Sequence, residues 1–191
     1  MKRAVFLFAT ALLASAVPWA YSQAGNLNDL QQQLNSAVRI TIMAPNHTDI
    51  ATPGDVIELR KDGLKMSAVS TILTESNTYK DGKIGGGNAK RAWGAVGTGF
   101  MAGMAAADTS GQTAAPTPGP PPRTLVAGDR CWVLSVTVQR DGVVFKLLTD
   151  PYDDGLRYHA DLKILFPNKK EVPPTDAVFN TISEVLGIAP Q

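Results

Sequence analysis

Few side chains in this chain are of a type that does chemistry, and they are scattered. Cys131 is the one cysteine, and it stands between Arg130 and Trp132. A neighbouring arginine can lower a thiol's pKa, so a reactive thiol is one reading. The competing reading is a small apolar filler, because Cys131 alternates with Trp132 along a strand and no histidine lies near it in sequence. His47 sits in a Pro/Asn turn and His159 on the polar face of an expected strand. Neither belongs to a His-Glu-x-x-His or nucleophile-elbow pattern, so both read as polar surface. No catalytic residue is assigned.

Asp150, Asp153 and Asp154 fall in the stretch Asp-Pro-Tyr-Asp-Asp-Gly, the most polar-dense part of the chain. They are candidate oxygen ligands for a hard cation such as calcium. The spacing is not that of an EF-hand loop, no glutamate closes the set, and the same residues are ordinary turn chemistry. Asp153, Asp154 and Asp161 are also the scattered carboxylates that a hydrolase could use, since a carboxylate pair needs no local motif. Trp93 and Tyr152 are candidates for an aromatic ligand-binding face, whereas Trp132 and Tyr158 fall on faces expected to be core. No cofactor is expected. Gly97-Thr98-Gly99 has neither dinucleotide nor Walker spacing, and one cysteine cannot build a cysteine-pair zinc site.

The chain has 191 residues, is 44% hydrophobic and 18% charged, and carries a net charge of +1. Such a balance does not suggest nucleic acid. Residues 1–22 read as a secretory signal peptide. A basic Met-Lys-Arg start precedes an apolar run of 14 residues, and Ala20 and Ser22 are small at the expected cut. That run is short of the about 20 residues needed to span a bilayer, so no transmembrane segment is expected in the mature chain. Export follows, to the periplasm or beyond, with cleavage near Ser22. A lone cysteine cannot form an internal disulfide, so the core must supply the stability.

The elements that position the candidates follow from periodicity. In residues 23–37, Leu27, Leu30 and Leu34 make the stripe of a short amphipathic helix capped by Asn26 or Asn28. Residues 38–84 form a first β block. Its opening strand should put Val38, Ile40 and Ile42 on one face and Arg39, Thr41 and Met43 on the other. Asp62-Gly63 predicts a type I′ hairpin pairing Leu59 with Met66 and Ile57 with Ala68, and Asp81-Gly82 a further turn. Residues 85–122 are a Gly/Ala/Pro-rich insertion and linker.

Residues 123–191 form a second β block with a C-terminal helix. Trp132, Leu134, Val136 and Val138 share a face there. The Asp141-Gly142 turn pairs Val138 with Phe145 and Val136 with Leu147. Tyr158, Ala160, Leu162, Ile164 and Phe166 alternate inward on a third strand. The helix presents Val178, Ile182, Val185 and Leu186, with Thr175 or Asp176 as cap and Gly187 as the stop. The expected class is mainly β: a small antiparallel barrel or sandwich, with strands of SH3-like size and a short helix at each end.

The stretch from Leu125 to Pro167 resembles a family of uncharacterised exported proteins of soil bacteria, acidobacteria especially. Gly128-Asp129, Trp132-Val133, Asp141-Gly142, Asp150-Pro151-Tyr152, Tyr158, the Phe166-Pro167 pair and the helix ending Ser183-Glu184-Val185-Leu186 carry the likeness. Residues 53–64 and 77–84 fit its first half. The resemblance spans most of 27–187 apart from the insertion, which is longer than expected. It implies an envelope protein and carries no activity or catalytic residue. The resulting expectation is a non-catalytic module that binds or scaffolds an envelope protein or glycan. The alternative is the hydrolase.

Overall fold

The Leu27–Leu34 stripe forms helix α1 (Leu27–Ala37), with Asn26 accepting the Asn28 N–H at 3.0 Å as N-cap. Among the described residues eleven strands follow: β1 (Ile42–Met43), β2 (Ile50–Thr52), β3 (Val56–Leu59), β4 (Leu64–Ala68), β5 (Leu73–Lys80), β6 (Lys83–Arg91), β7 (Arg123–Leu125), β8 (Arg130–Gln139), β9 (Gly142–Leu148), β10 (Tyr158–Leu165) and β11 (Leu186–Ile188). Helix α2 (Thr175–Val185) precedes β11. The computed structural model describes residues 26–46, 48–71, 73–91, 120–168 and 171–188. The expected leader at 1–22, His47, Trp93 and residues 92–119 of the insertion lie outside them.

The molecule is mainly β, and its large sheet curls into a half-barrel with a helix from each end of the chain. Spatial order in that sheet is β11-β3-β8-β9-β10-β4-β7, with β5 beside β10 and β6 beside β5. The core packs on this sheet: Leu59, Leu64, Met66, Val133, Leu147 and Leu162 are fully buried. Leu30 and Leu34 of α1 and Val178 and Val185 of α2 complete it.

Two carboxamides stand in for strand backbone where partners run out. Gln31 on α1 accepts the Val138 N–H at 2.7 Å and donates to the Val136 carbonyl at 3.0 Å, beyond the reach of β3. Asn77 on β5 does the same for β4, as described below. Buried backbone polar groups must find such partners.

The 53–68 segment is not a hairpin. β3 pairs with β8 and β11, and β4 pairs with β7 and β10. Both central residues of a type I′ turn need positive φ, and here Gly63 has it (+100°) while Asp62 does not. The ladder bonds of this corner go instead to the 123–132 segment: Leu59 N–H to Asp129 O, Gly128 N–H to Leu59 O and Gly63 N–H to Leu125 O. The 56–66 and 123–132 segments are thus partners in one bent ribbon, with Ile57 opposite Cys131 and Leu64 opposite Leu125. Asp81-Gly82, with φ of 50° and 80°, does make the tight turn, joining β5 to β6.

Other expectations also shift. The β8–β9 hairpin pairs Val138 with Val143 and Val136 with Phe145, two residues from the expected register. Gly142 begins the strand rather than the turn, and a Cβ there would collide with the Ile164 carbonyl. An even slip keeps each side chain on its face. A bulge between Val133 and Ser135 then changes the parity of β8: Cys131, Val133 and Val136 point into the core, and Trp132 lies on the other face.

In the first strand only Ile42–Met43 pairs. Thr41 is buried, accepting the Gly54 N–H, while Ile40 and Ile42 are exposed. β5 runs parallel to β10, and β6 extends to Arg91 within the segment expected as insertion. Pro174, not Thr175 or Asp176, occupies the N-cap of α2. Gly187 pairs with Glu58 inside β11 rather than stopping the helix, because the chain turns extended at Leu186. His159 is 1% exposed, lying between Leu148 and Ser67 in mid-sheet.

Candidate functional site

The Asp150–Gly155 loop joins β9 to β10 at one end of the sheet, here called its mouth. The loop folds on its own bonds. Tyr152 N–H reaches the Leu156 carbonyl at 3.0 Å, Gly155 N–H the Tyr152 carbonyl at 2.8 Å, and Leu156 N–H the Asp154 carboxylate at 2.9 Å. Gly155 takes a φ of +73°, which favours glycine. The turn presents the half-buried Tyr152 ring edge-to-face against Tyr158, 5.6 Å away at 86°.

Arg123, the first residue of β7, lies over these rings. Its guanidinium carbon is 4.0 Å from the Tyr152 centroid and 5.1 Å from that of Tyr158. The Asp154 carboxylate closes the arrangement at 3.3 Å. A hydrogen bond to Tyr158, and behind it the nearby negative charge, hold the guanidinium pKa above its ordinary value. Burial, then the Asp129 carboxylate, raise that of Tyr152, with Arg123 pulling the other way.

Cys131 is 1% exposed, and its thiol is pushed up to about 12 by burial, then by the carboxylates of Asp129 and Asp150. Arg130 does not activate it, because consecutive strand residues point to opposite faces. The thiol is a neutral filler at neutral pH.

The loop's acids are divided. Asp154 joins Tyr152 and Arg123. Asp150 accepts the Trp132 indole N–H at 2.8 Å and sits 3.6 Å from Arg157. Asp153 is exposed. Asp161 lies on β10 on the face opposite Ala160 and Leu162, 4.0 Å from Lys146. Asp154 and Asp161 therefore do not converge. Among the described residues no three His, Cys, Asp or Glu side chains gather round one point. A small apolar cavity of about 30 Å³, lined by Ile164, Phe166, Pro173 and Val178 among others, lies under α2 and has room for about one water.

The sequence singles out Tyr152 as a ligand-binding ring and Asp154 as a cation ligand or hydrolase acid; it does not single out Arg123, which the structure places against both. Arg123 lies 29 positions before Tyr152, and no spacing rule links a β7 arginine to a β9–β10 loop.

Fold and site together define a class by architecture alone: a curled β half-barrel with an aromatic, arginine and carboxylate set at its mouth. No protein family, curated protein or solved structure matches the chain. No helix among the described residues is long and apolar enough to cross a membrane.

Proposed function

We propose that this chain is an exported, non-catalytic β module that binds or scaffolds a protein or glycan of the cell envelope. The observation that carries the reading is the mouth formed by Arg123, Tyr152 and Asp154, where ring faces, a cation and a carboxylate meet on a surface prearranged by the loop's own hydrogen bonds. Arginine and tyrosine are the side chains that dominate recognition surfaces. The groups that could react are otherwise engaged: the thiol is neutral, Asp154 faces Arg123, and Asp161 faces Lys146. The basic, apolar start of the chain supports the envelope as the place.

The test immobilises the purified chain and the Tyr152→Ala variant and applies envelope extract and sedimented peptidoglycan. A partner or glycan retained by the first and not by the second supports the reading. Cleavage of peptidoglycan, or equal retention by both, overturns it. N-terminal sequencing of the exported protein should find a start just after Ser22.

A further inference from the structure

We infer that the mouth of the half-barrel is a guanidinium-binding site that the chain fills with its own Arg123, and that an arginine side chain of a partner takes the same place when Arg123 leaves. The inference rests on reading this mouth as a binding surface.

The cage is built without Arg123. Tyr158 is 2% exposed within β10, its N–H held by the Thr149 hydroxyl at 3.0 Å and its carbonyl by the Thr149 N–H at 2.9 Å. Tyr152 is set by the turn bonds to Leu156 and Gly155, and its ring packs on Tyr158. Asp154 is oriented by the Leu156 N–H. Two aromatic rings and a carboxylate therefore stand in place whatever occupies the space between them. That chemistry suits a planar cation with several N–H donors: the ring face attracts the charge, and the carboxylate takes the hydrogen bonds.

The ion pair of the present occupant is exposed, so its ring contacts are what hold it. Arg123 and Asp154 are 42% and 40% exposed in their side chains, and exposed ion pairs of this kind contribute little. Arg123 opens a strand of only three residues. Pro120, Pro121 and Pro122 come directly before it and have no backbone N–H, so the chain upstream cannot add ladder donors to hold the entry. Exchange of one guanidinium for another leaves every bond that builds the cage intact. An external ligand then binds the wild-type chain with an affinity reduced by the fraction of time that Arg123 is in place.

The probe is methylguanidinium, titrated against wild type, Arg123→Ala and Arg123→Met while the Tyr152 and Tyr158 ring resonances are followed by NMR. The methionine variant keeps an apolar stem over the rings in case the alanine variant does not fold. The expected result is saturable binding by the folded variants at least about tenfold tighter than by wild type, lost on adding Asp154→Asn or Tyr152→Leu. A folded Arg123 variant with no saturable shift overturns the inference, as does a shift that survives Tyr152→Leu. Binding here together with no envelope partner in the retention experiment would sink the envelope reading and leave the cage standing.

Discussion

The Asn77 side chain pairs with the backbone of Lys65 as a strand would: its oxygen accepts the Lys65 N–H at 2.9 Å and its nitrogen donates to the Lys65 carbonyl at 2.8 Å. The same nitrogen lies 3.3 Å from the Asp161 carbonyl. At this point β4 leaves β10 and β5 takes over the edge, with Asn77 opposite Leu162. One carboxamide, 2% exposed, fills the fork between three strands.

Replacing it should be costly. Asn77→Asp keeps the acceptor but puts an oxygen against the Lys65 carbonyl, and Asn77→Leu leaves both Lys65 groups without partners. Each should lower stability by about 2–4 kcal/mol, the order expected for stranding buried polar groups. Denaturant unfolding measures the loss. Faster exchange of the Lys65 amide, out of proportion to that of β8 and β9, would place the damage at the fork. An unchanged midpoint for Asn77→Leu would refute this role.

Asp55 pairs with Arg39 through three contacts. Its carboxylate takes the Arg39 N–H, Nε and Nη2, each at 2.8 Å. Burial tends to raise the Asp55 pKa, but the Arg39 backbone and guanidinium bonds and its charge outweigh that and hold it below 3.8. A depressed carboxyl adds stability above its unfolded value and loses it as pH falls through the folded one. Asp55→Asn should cost about 2 kcal/mol at neutral pH. The gap to wild type should close as pH falls below 3.8. Thermal melts across that range will show whether the two curves converge.

Asp161 has the opposite sign. Burial raises its carboxyl above 3.8, against the pull of Lys146, and one of its oxygens has no hydrogen-bond partner. The folded state then holds the proton more tightly, so stability falls as pH rises from the unfolded value through the folded one. Asp161→Asn should melt higher than wild type at neutral pH and lose that advantage below 3.8. A variant less stable than wild type at neutral pH would mean that the contact with Lys146 outweighs burial.

The Cys131 thiol should resist alkylation in the native state even at mildly alkaline pH, because burial keeps it protonated and out of reach. Labelling should begin only where unfolding does. Cys131→Ala should cost about 1 kcal/mol and leave ligand retention unchanged. Rapid labelling of native protein would contradict its burial in β8.

Gly142→Ala should destabilise by about 3 kcal/mol, because the added Cβ meets backbone rather than a movable side chain. Gly155, at the loop, has open space around its Cβ position, so Gly155→Ala should suffer only the backbone strain of its φ of +73°. Comparing the two midpoints separates collision from dihedral strain.

Local pattern made much of this fold legible. The period of two along 158–166 named every inward residue of β10, because alternation is a local property of extended backbone. The leucine stripe of α1 and the tight turn at Asp81-Gly82 were legible for the same reason. At the mouth, Tyr152 and Asp154 stood out because the loop is dense in polar and turn-forming residues.

From the sequence alone came the alternation of β10, the leucine stripe of α1, the turn at Asp81-Gly82, and the fact that a lone cysteine forms no disulfide within the chain. Only the tertiary structure decided which strand pairs with which. Asp62-Gly63 carries the letters of a hairpin, yet the bonds of Leu59 and Gly63 go to Asp129 and Leu125, because a strand edge accepts any partner of the right register, however distant in sequence. The bulge after Val133, which turns Trp132 outward and keeps Cys131 in, is set by β9 and β3 on either side. The meeting of Arg123 with Tyr152 follows from that pairing: β7 reaches the mouth only because β4 carries it beside β10.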